Sequence, residues 1–242
     1  MTEVVILPGL DGTARLLKGL CSRLAALGVS ARAITYPPDR VLSYEELESL
    51  VRPQLPTGPF ILVGESFSGP LAVRIAANPP VSLVGLVLST TFARAPVPAL
   101  VLLAPLVRFA PARPPMSLLS WCLLGRWATP DLLSALREAL RSVSPAVLRA
   151  RAAAALRSDV SALVPRIQFS TLQLVASQDR LLASSAWRSL AVDLPRCRSL
   201  TVPGPHMLLQ ASLEPCAQEI ADFALRLDPD SRSTPTSLRG VA

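Results

Sequence analysis

Residues 60–77 constrain this chain more than any other stretch: Phe60-Ile61-Leu62-Val63-Gly64-Glu65-Ser66-Phe67-Ser68-Gly69-Pro70-Leu71-Ala72-Val73-Arg74-Ile75-Ala76-Ala77. The unbroken apolar run from Phe60 to Val63 has the character of a parallel strand buried on both faces. Leu71, Ile75 and the alanines between them predict a helix that packs back on it. Only a sharp corner separates the two. A serine held at such a corner sits in strained backbone geometry, tolerated when the residues two before and two after are small, and Gly64 and Ser68 meet that demand. The corner also sets Ser66 beside the free N–H groups that open the helix, where the helix dipole favours negative charge on a reacting oxygen. Ser66 is therefore a candidate nucleophile, with a turn serine or a helix cap as the plainer readings.

At 242 residues the chain suits one α/β domain with an insertion better than two independent domains. Half of it is hydrophobic, which excludes a mainly disordered protein. No apolar run reaches about 18 residues without a charge or a proline, so no transmembrane segment is expected. Met1-Thr2-Glu3 leads straight into Val4-Val5-Ile6-Leu7 without a basic leader or a cleavage site, so a cytoplasmic protein is expected. Cys21, Cys122, Cys197 and Cys216 show no C-x-x-C spacing and are expected to be free core thiols.

The net charge of +7 first points to nucleic acid, but its distribution argues otherwise. Residues 1–92 carry seven basic and seven acidic side chains, residues 93–165 nine and three, and residues 166–242 eight and seven. Lys18 is the only lysine, and no basic run interleaves with aromatics, so no nucleic-acid partner is expected.

Around residues 60–77 the chain alternates. Val4–Leu7 read as a first strand, Pro8-Gly9-Leu10-Asp11-Gly12-Thr13 as a turn, and a helix comes next from about Ala14 to Leu27 with Thr13 as a plausible cap. Ala31–Tyr36 read as a second strand, Ser43-Tyr44-Glu45-Glu46 as a capping box opening a second helix, and Leu83–Thr90 as a fourth strand. This alternation implies a mostly parallel, doubly wound sheet whose sites lie at the carboxyl ends of its strands. From about Phe92 to Pro165 strand character stops, and helical periodicity appears at Pro98–Phe109, Met116–Trp127, Asp131–Ser142 and Pro145–Ala155. We read residues 1–92 and 166–227 as the core and 93–165 as an inserted helical cap. Strands return at Leu172–Ala176 and Ser199–Val202, a helix is expected over roughly Ser184–Val192, and an amphipathic helix closes the fold at Leu213–Leu227. Residues 228–242 are polar and aperiodic and are expected to be a disordered tail.

A serine nucleophile needs a base at neutral pH, and the base needs a third group to fix its tautomer. His206 is the only histidine, and it comes after a strand and a Pro-Gly-Pro turn. Asp179 ends the preceding strand and so falls on the same sheet edge. Asp159 and Asp193 are weaker candidates because neither ends a strand; Asp11 and Glu65 flank the expected oxyanion region, where either could modulate His206 or simply orient the turns, and neither is taken as a site residue. No metal-ligand spacing and no phosphate-binding glycine loop appears, so no cofactor is expected.

The elbow at Ser66, the strand-ending Asp179-Arg180 and the Gly204-Pro205-His206 before the last helix together resemble the α/β-hydrolase superfamily over roughly residues 3–227, in the order Ser, acid, His. Two departures stand out: Ser68 replaces the second glycine of G-x-S-x-G, and Pro8 stands where a histidine is usual. The resemblance implies an acyl-enzyme on Ser66, with His206 as base, Asp179 as its partner and the N–H groups of Leu10 and Phe67 holding the oxyanion. It implies a carboxylic ester or thioester substrate, since relatives that open haloalkanes or epoxides carry a carboxylate at the elbow. The basic cap would draw anionic substrates such as acyl-CoA or an acyl group on an acidic carrier protein. Two other classes compete. One is a non-catalytic small-molecule-binding module on the same fold. The other is a protein that uses the basic cap to meet a carrier protein or a membrane surface.

Overall fold

The computed structural model describes residues 2–95, 102, 106–107 and 114–228. Six strands form one sheet: β1 (Glu3–Leu7), β2 (Ala31–Ala33), β3 (Phe60–Glu65), β4 (Leu83–Ser89), β5 (Thr171–Ala176) and β6 (Cys197–Val202). Their order is β2-β1-β3-β4-β5-β6, and every pairing is parallel. Parallel strands need crossover connections, and helices supply them. In chain order the helices are α1 (Lys18–Ala26), α2 (Tyr44–Val51) and α3 (Gly69–Ala77), then α4 (Met116–Leu123), α5 (Pro130–Arg141) and α6 (Pro145–Arg157) between β4 and β5. After β5 come α7 (Ser184–Asp193), the short α8 (Leu208–Ala211) and α9 (Leu213–Leu227).

The inner strands β1, β3 and β4 are covered on both faces, which is why they read as nearly continuous apolar runs, whereas the edge strands β2 and β6 are only partly buried. Successive residues go to opposite sides. Val5, Leu7 and Leu62 join Leu47 of α2, Leu71 and Ile75 of α3 and Leu190 of α7 on one face. Val4, Ile6, Ile61 and Val63 join Leu20 and Leu24 of α1 and Ile220 and Phe223 of α9 on the other. β3 lies inside the sheet and is buried along its whole length, so its carboxyl end is a fixed point for the turn into α3.

Local chemistry accounts for several element ends. Ser43 caps α2 through a complete capping box with Glu46, as its spacing predicts. At the first helix the expectation fails. A single 3-10 turn at Arg15–Leu17 precedes α1, with Ala14 and Leu17 at the two cap positions, and Thr13 lies one residue too early: its hydroxyl and N–H donate to the carboxylate of Asp11, and its oxygen makes only a long 3.4 Å contact with Arg15 N–H. β2 is also shorter than the expected Ala31–Tyr36. After Ile34 donates to Ile6 O, the chain leaves the sheet edge and Tyr36 turns its N–H to Gly12 O. The thiols are free, but only Cys216 is fully buried; Cys21, Cys122 and Cys197 are half-buried.

In the segment between β4 and β5 the three described helices match the periodicity of residues 116–157 within a few positions. The helix expected at Pro98–Phe109 and the tail expected after Asp228 lie almost wholly outside the described residues. Among the described residues, no helix is long and apolar enough to cross a membrane.

Candidate active site

The turn after β3 is the sharp corner that the sequence requires. Ser66 has φ 47°, a left-handed conformation unusual for a side-chain-bearing residue, and it opens a 3-10 turn that runs into α3. The corner closes only because its neighbours are small. A β-carbon on Gly64 would lie 2.7 Å from that of Ala72, and one on Gly69 would lie 1.8 Å from Oγ1 of Thr91. Thr91 uses that same hydroxyl to bond the carbonyl of Ser66. Ser68, at the place of the second glycine, is fully buried. It donates to Pro8 O and takes a 2.7 Å hydrogen bond from Tyr36, so its hydroxyl ties the corner to the loop after β1.

The ends of β5 and β6 bring the other two predicted residues to this corner. Ser66 Oγ lies 2.8 Å from His206 Nε2, and His206 Nδ1 lies 2.8 Å from Asp179 Oδ2. A carboxylate only accepts, so Nδ1 carries the proton and Nε2 is left to accept from the serine hydroxyl. The other Asp179 oxygen accepts the N–H groups of Leu181 and Leu182 at 2.8 and 2.9 Å. Burial works against ionisation of Asp179, but the hydrogen bond and charge of His206 and those two N–H groups outweigh it and hold the carboxyl below its ordinary value. His206 is only 4 % exposed, and its loop is fixed on both sides: Gly204 O accepts from Gln178 N–H, and Met207 N–H bonds Leu123 O at the end of α4.

Ser66, His206, Leu10 and Phe67 border one cavity of about 430 Å³. Among the described residues its wall is mostly apolar, with Leu16, Phe92, Leu119, Leu136 and Leu182 among the contributors. Phe67 is the second residue of the 3-10 turn, whose opening N–H groups have no acceptor within the turn. Leu10 is the second residue of a turn closed by Gly12 N–H on Gly9 O at 3.0 Å, which leaves its own N–H out of the closure. Asp179 stands behind His206, and Asp159 and Asp193 do not border the cavity.

Two carboxyls, Asp11 and Glu65, also border it. Glu65 takes a 2.8 Å hydrogen bond from Gln210. Burial, with the charge of Asp11 adding to it, drives the Glu65 carboxyl up to about 7 against the opposing help of Gln210, His206 and the Gly9 N–H. Asp11 is also raised by burial, which its bonds to Thr13 and the charge of Arg151 only partly offset. Sequence reasoning missed Tyr36, Tyr44, Arg151 and Gln210 as parts of this constellation. For Arg151 a signal existed: it falls three to four residues after Val147 and Leu148, on the buried side of α6.

No protein-family profile matches the chain, and no curated protein matches it in sequence. Its structure does have counterparts. An esterase from Exiguobacterium antarcticum superposes with a TM-score of 0.79 at 15 % identity, over 93 % of this chain and 92 % of that one. The fold is that of the α/β-hydrolases. An esterase from Thermogutta terrifontis with malate bound shares the α/β-hydrolase fold at TM-score 0.76 and 21 % identity, covering 94 % of this chain and 90 % of that one. The enol-lactonase of Burkholderia xenovorans LB400 does so at TM-score 0.77 and 16 % identity, covering 92 % and 90 %. In the α/β-hydrolase fold of this chain, the corner at Ser66, Asp179 and His206 all lie beyond the carboxyl ends of parallel strands, β3, β5 and β6.

Proposed function

We propose that this protein is a serine hydrolase that cleaves a carboxylic ester or thioester through an acyl-enzyme on Ser66. The observation that carries the reading is the continuous chain of contacts from Ser66 Oγ to His206 Nε2 and from His206 Nδ1 to Asp179 Oδ2, each 2.8 Å long, opening on an apolar cavity. The solved structures of like fold that are esterases and an enol-lactonase support the same class.

In this reading Nε2 of His206 removes the Ser66 hydroxyl proton as the oxygen attacks the acyl carbon, and the carbonyl oxygen takes the negative charge between the N–H groups of Leu10 and Phe67. The imidazolium is stabilised by Asp179. It returns the proton to the departing alcohol or thiol, leaving the acyl group on Ser66. A water molecule then gives its proton to His206 and attacks the acyl carbon, and the carboxylic acid leaves as Ser66 recovers its proton.

Residues 1–92 and 166–227 form the catalytic core in this proposal and residues 93–165 the cap that roofs the cavity. The apolar wall suits an aliphatic or aromatic acyl group, since there is no cation in the described lining to meet an anionic one. An anionic leaving group, such as the CoA of an acyl-CoA or an acidic carrier protein, would be drawn by the excess of arginine over acidic residues in residues 93–165. The test is a panel of p-nitrophenyl esters of graded chain length beside acyl-CoA thioesters, run with Ser66→Ala as control. We expect turnover by the native protein and its loss in the variant. A native protein that turns over no ester and no thioester would overturn the proposal.

A further inference from the structure

The least expected group near the cavity is a buried cation. Arg151 projects from α6 and is only 3 % exposed, yet its guanidinium bonds main-chain carbonyls rather than a carboxylate. Nη1 donates to Leu10 O at 3.1 Å and to Asp11 O at 2.7 Å, and Nη2 donates to Pro37 O at 3.0 Å. Its carbon lies 5.5 Å from the centre of the Tyr36 ring. Beside it Gly12 has φ +69°, and a β-carbon there would come within 2.3 Å of Nη1. The guanidinium thus occupies the space that a side chain at position 12 would fill. Burial lowers its affinity for a proton, and the neighbouring Tyr36 and Asp11 work in the opposite sense.

The neighbouring contacts hold other parts of this loop. Ser68 fixes the carbonyl of Pro8, and the Tyr36 N–H fixes that of Gly12 at 2.8 Å. Of the three carbonyls between them, Gly12 N–H holds that of Gly9 and Arg151 holds those of Leu10 and Asp11. Because Gly12 N–H closes the turn on Gly9 O, fixing those peptides leaves the Gly9–Leu10 peptide little freedom to rotate. The hydrogen on the Leu10 nitrogen belongs to that last peptide.

We propose that Arg151 is a positioning residue: from α6 it sets the direction of the Leu10 N–H, so that oxyanion stabilisation depends on this helix being seated against the loop. The inference rests on the proposed hydrolase reading and adds a residue to it. Arg151 does not touch the substrate; it acts through Leu10. A guanidinium is suited to the task because its planar fork reaches three carbonyls at once in fixed directions, which the point charge of an ammonium does not.

The test compares native protein, Arg151→Met, Arg151→Lys and Ser66→Ala on one neutral ester, with the rates of the serine-bearing proteins normalised to active sites titrated by a fluorophosphonate. Temperatures are kept below the melting point of every variant. We expect Arg151→Met to lose about 10- to 100-fold in kcat with KM changed by less than about 3-fold, because ground-state binding belongs to the apolar cavity. Arg151→Lys should fall between. Affinity for a trifluoromethyl ketone, whose adduct places an oxyanion between the donors, should drop in parallel with kcat/KM, whereas affinity for an uncharged alkyl alcohol should not move.

A purely structural role predicts a lower melting point with unchanged kcat per titrated site and unchanged ketone affinity, and that result would overturn the proposal. If Arg151→Met fails to fold, native kcat in Arg151→Lys overturns it equally. Native-like turnover by Ser66→Ala would instead bring down the hydrolase reading on which the inference rests. Loss of activity in Ser66→Ala beside native kcat in both Arg151 variants would sink the inference alone.

Discussion

Tyr44, the first residue of α2, donates its hydroxyl to the carbonyl of Phe67 at 2.8 Å and stacks on the ring of the same residue at 5.0 Å. The residue proposed as the second oxyanion donor is therefore held from α2 at its carbonyl and ring, as the Leu10 carbonyl is held from α6 by Arg151. Burial, with the adjacent Tyr36 adding to it, pushes the Tyr44 hydroxyl well above its ordinary value, so it remains a donor at every working pH. Tyr44→Phe keeps the stack and leaves a buried carbonyl unpaired. We expect a loss of about 1–2 kcal/mol in urea unfolding and about a 10-fold fall in kcat. Native kcat would show that the Phe67 peptide is held without Tyr44.

The approach of Gly69 to Thr91 predicts a coupled pair. Gly69→Ala would drive a methyl group into Oγ1, Cβ and Cγ2 of Thr91, at 1.8, 2.6 and 2.6 Å, and so disturb the bond from Thr91 to the Ser66 carbonyl. We expect destabilisation of about 1–3 kcal/mol. Thr91→Ala removes two of the three clashing atoms, so the double variant should be more stable than the two single changes summed. A melting series that shows simple additivity would place the strain elsewhere.

Stability should depend on pH through Glu65 and Asp179 in opposite senses. The Glu65 carboxyl rises from 4.5 to about 7 on folding, so between these values the native state holds a proton that the unfolded chain has lost. Its stabilisation is complete below about pH 4.5 and falls, by up to about 3 kcal/mol, as pH rises to about 7. Asp179 moves the other way from 3.8, so the stability it contributes is present above that value and is lost as pH falls below it. Glu65→Gln should flatten the decline between about pH 4.5 and 7 while leaving the acid limb in place. Parallel pH profiles for native protein and variant, measured by urea unfolding, would contradict the burial of an ionisable Glu65.

Much of this architecture was legible in the residues because parallel strands buried on both faces leave little choice of composition. Phe60–Val63 and Leu172–Ala176 are of this kind, and the structure places strands there. His206 was legible for a different reason: a chain with one histidine has one candidate base. The edge strand β2 was overread because Ile34 and Tyr36 are apolar for another purpose, joining the core on one face of the sheet after the chain has left its edge. Arg151 could not be singled out by type, since α6 also carries Arg149 and Arg157. Its role comes from the left-handed Gly12, and two segments 141 residues apart in sequence meet there only after folding. The pairing of Ser68 with Tyr36 and Pro8 is of the same kind.

The central claim is that Ser66 is the nucleophile, and a fluorophosphonate probe combined with intact mass measurement and peptide mapping tests it most directly. The account predicts one adduct per chain, located on Ser66, formed slowly in His206→Ala and absent in Ser66→Ala. An unlabelled Ser66 in the native protein, or a Ser66→Ala variant that still hydrolyses esters at the native rate, would contradict it.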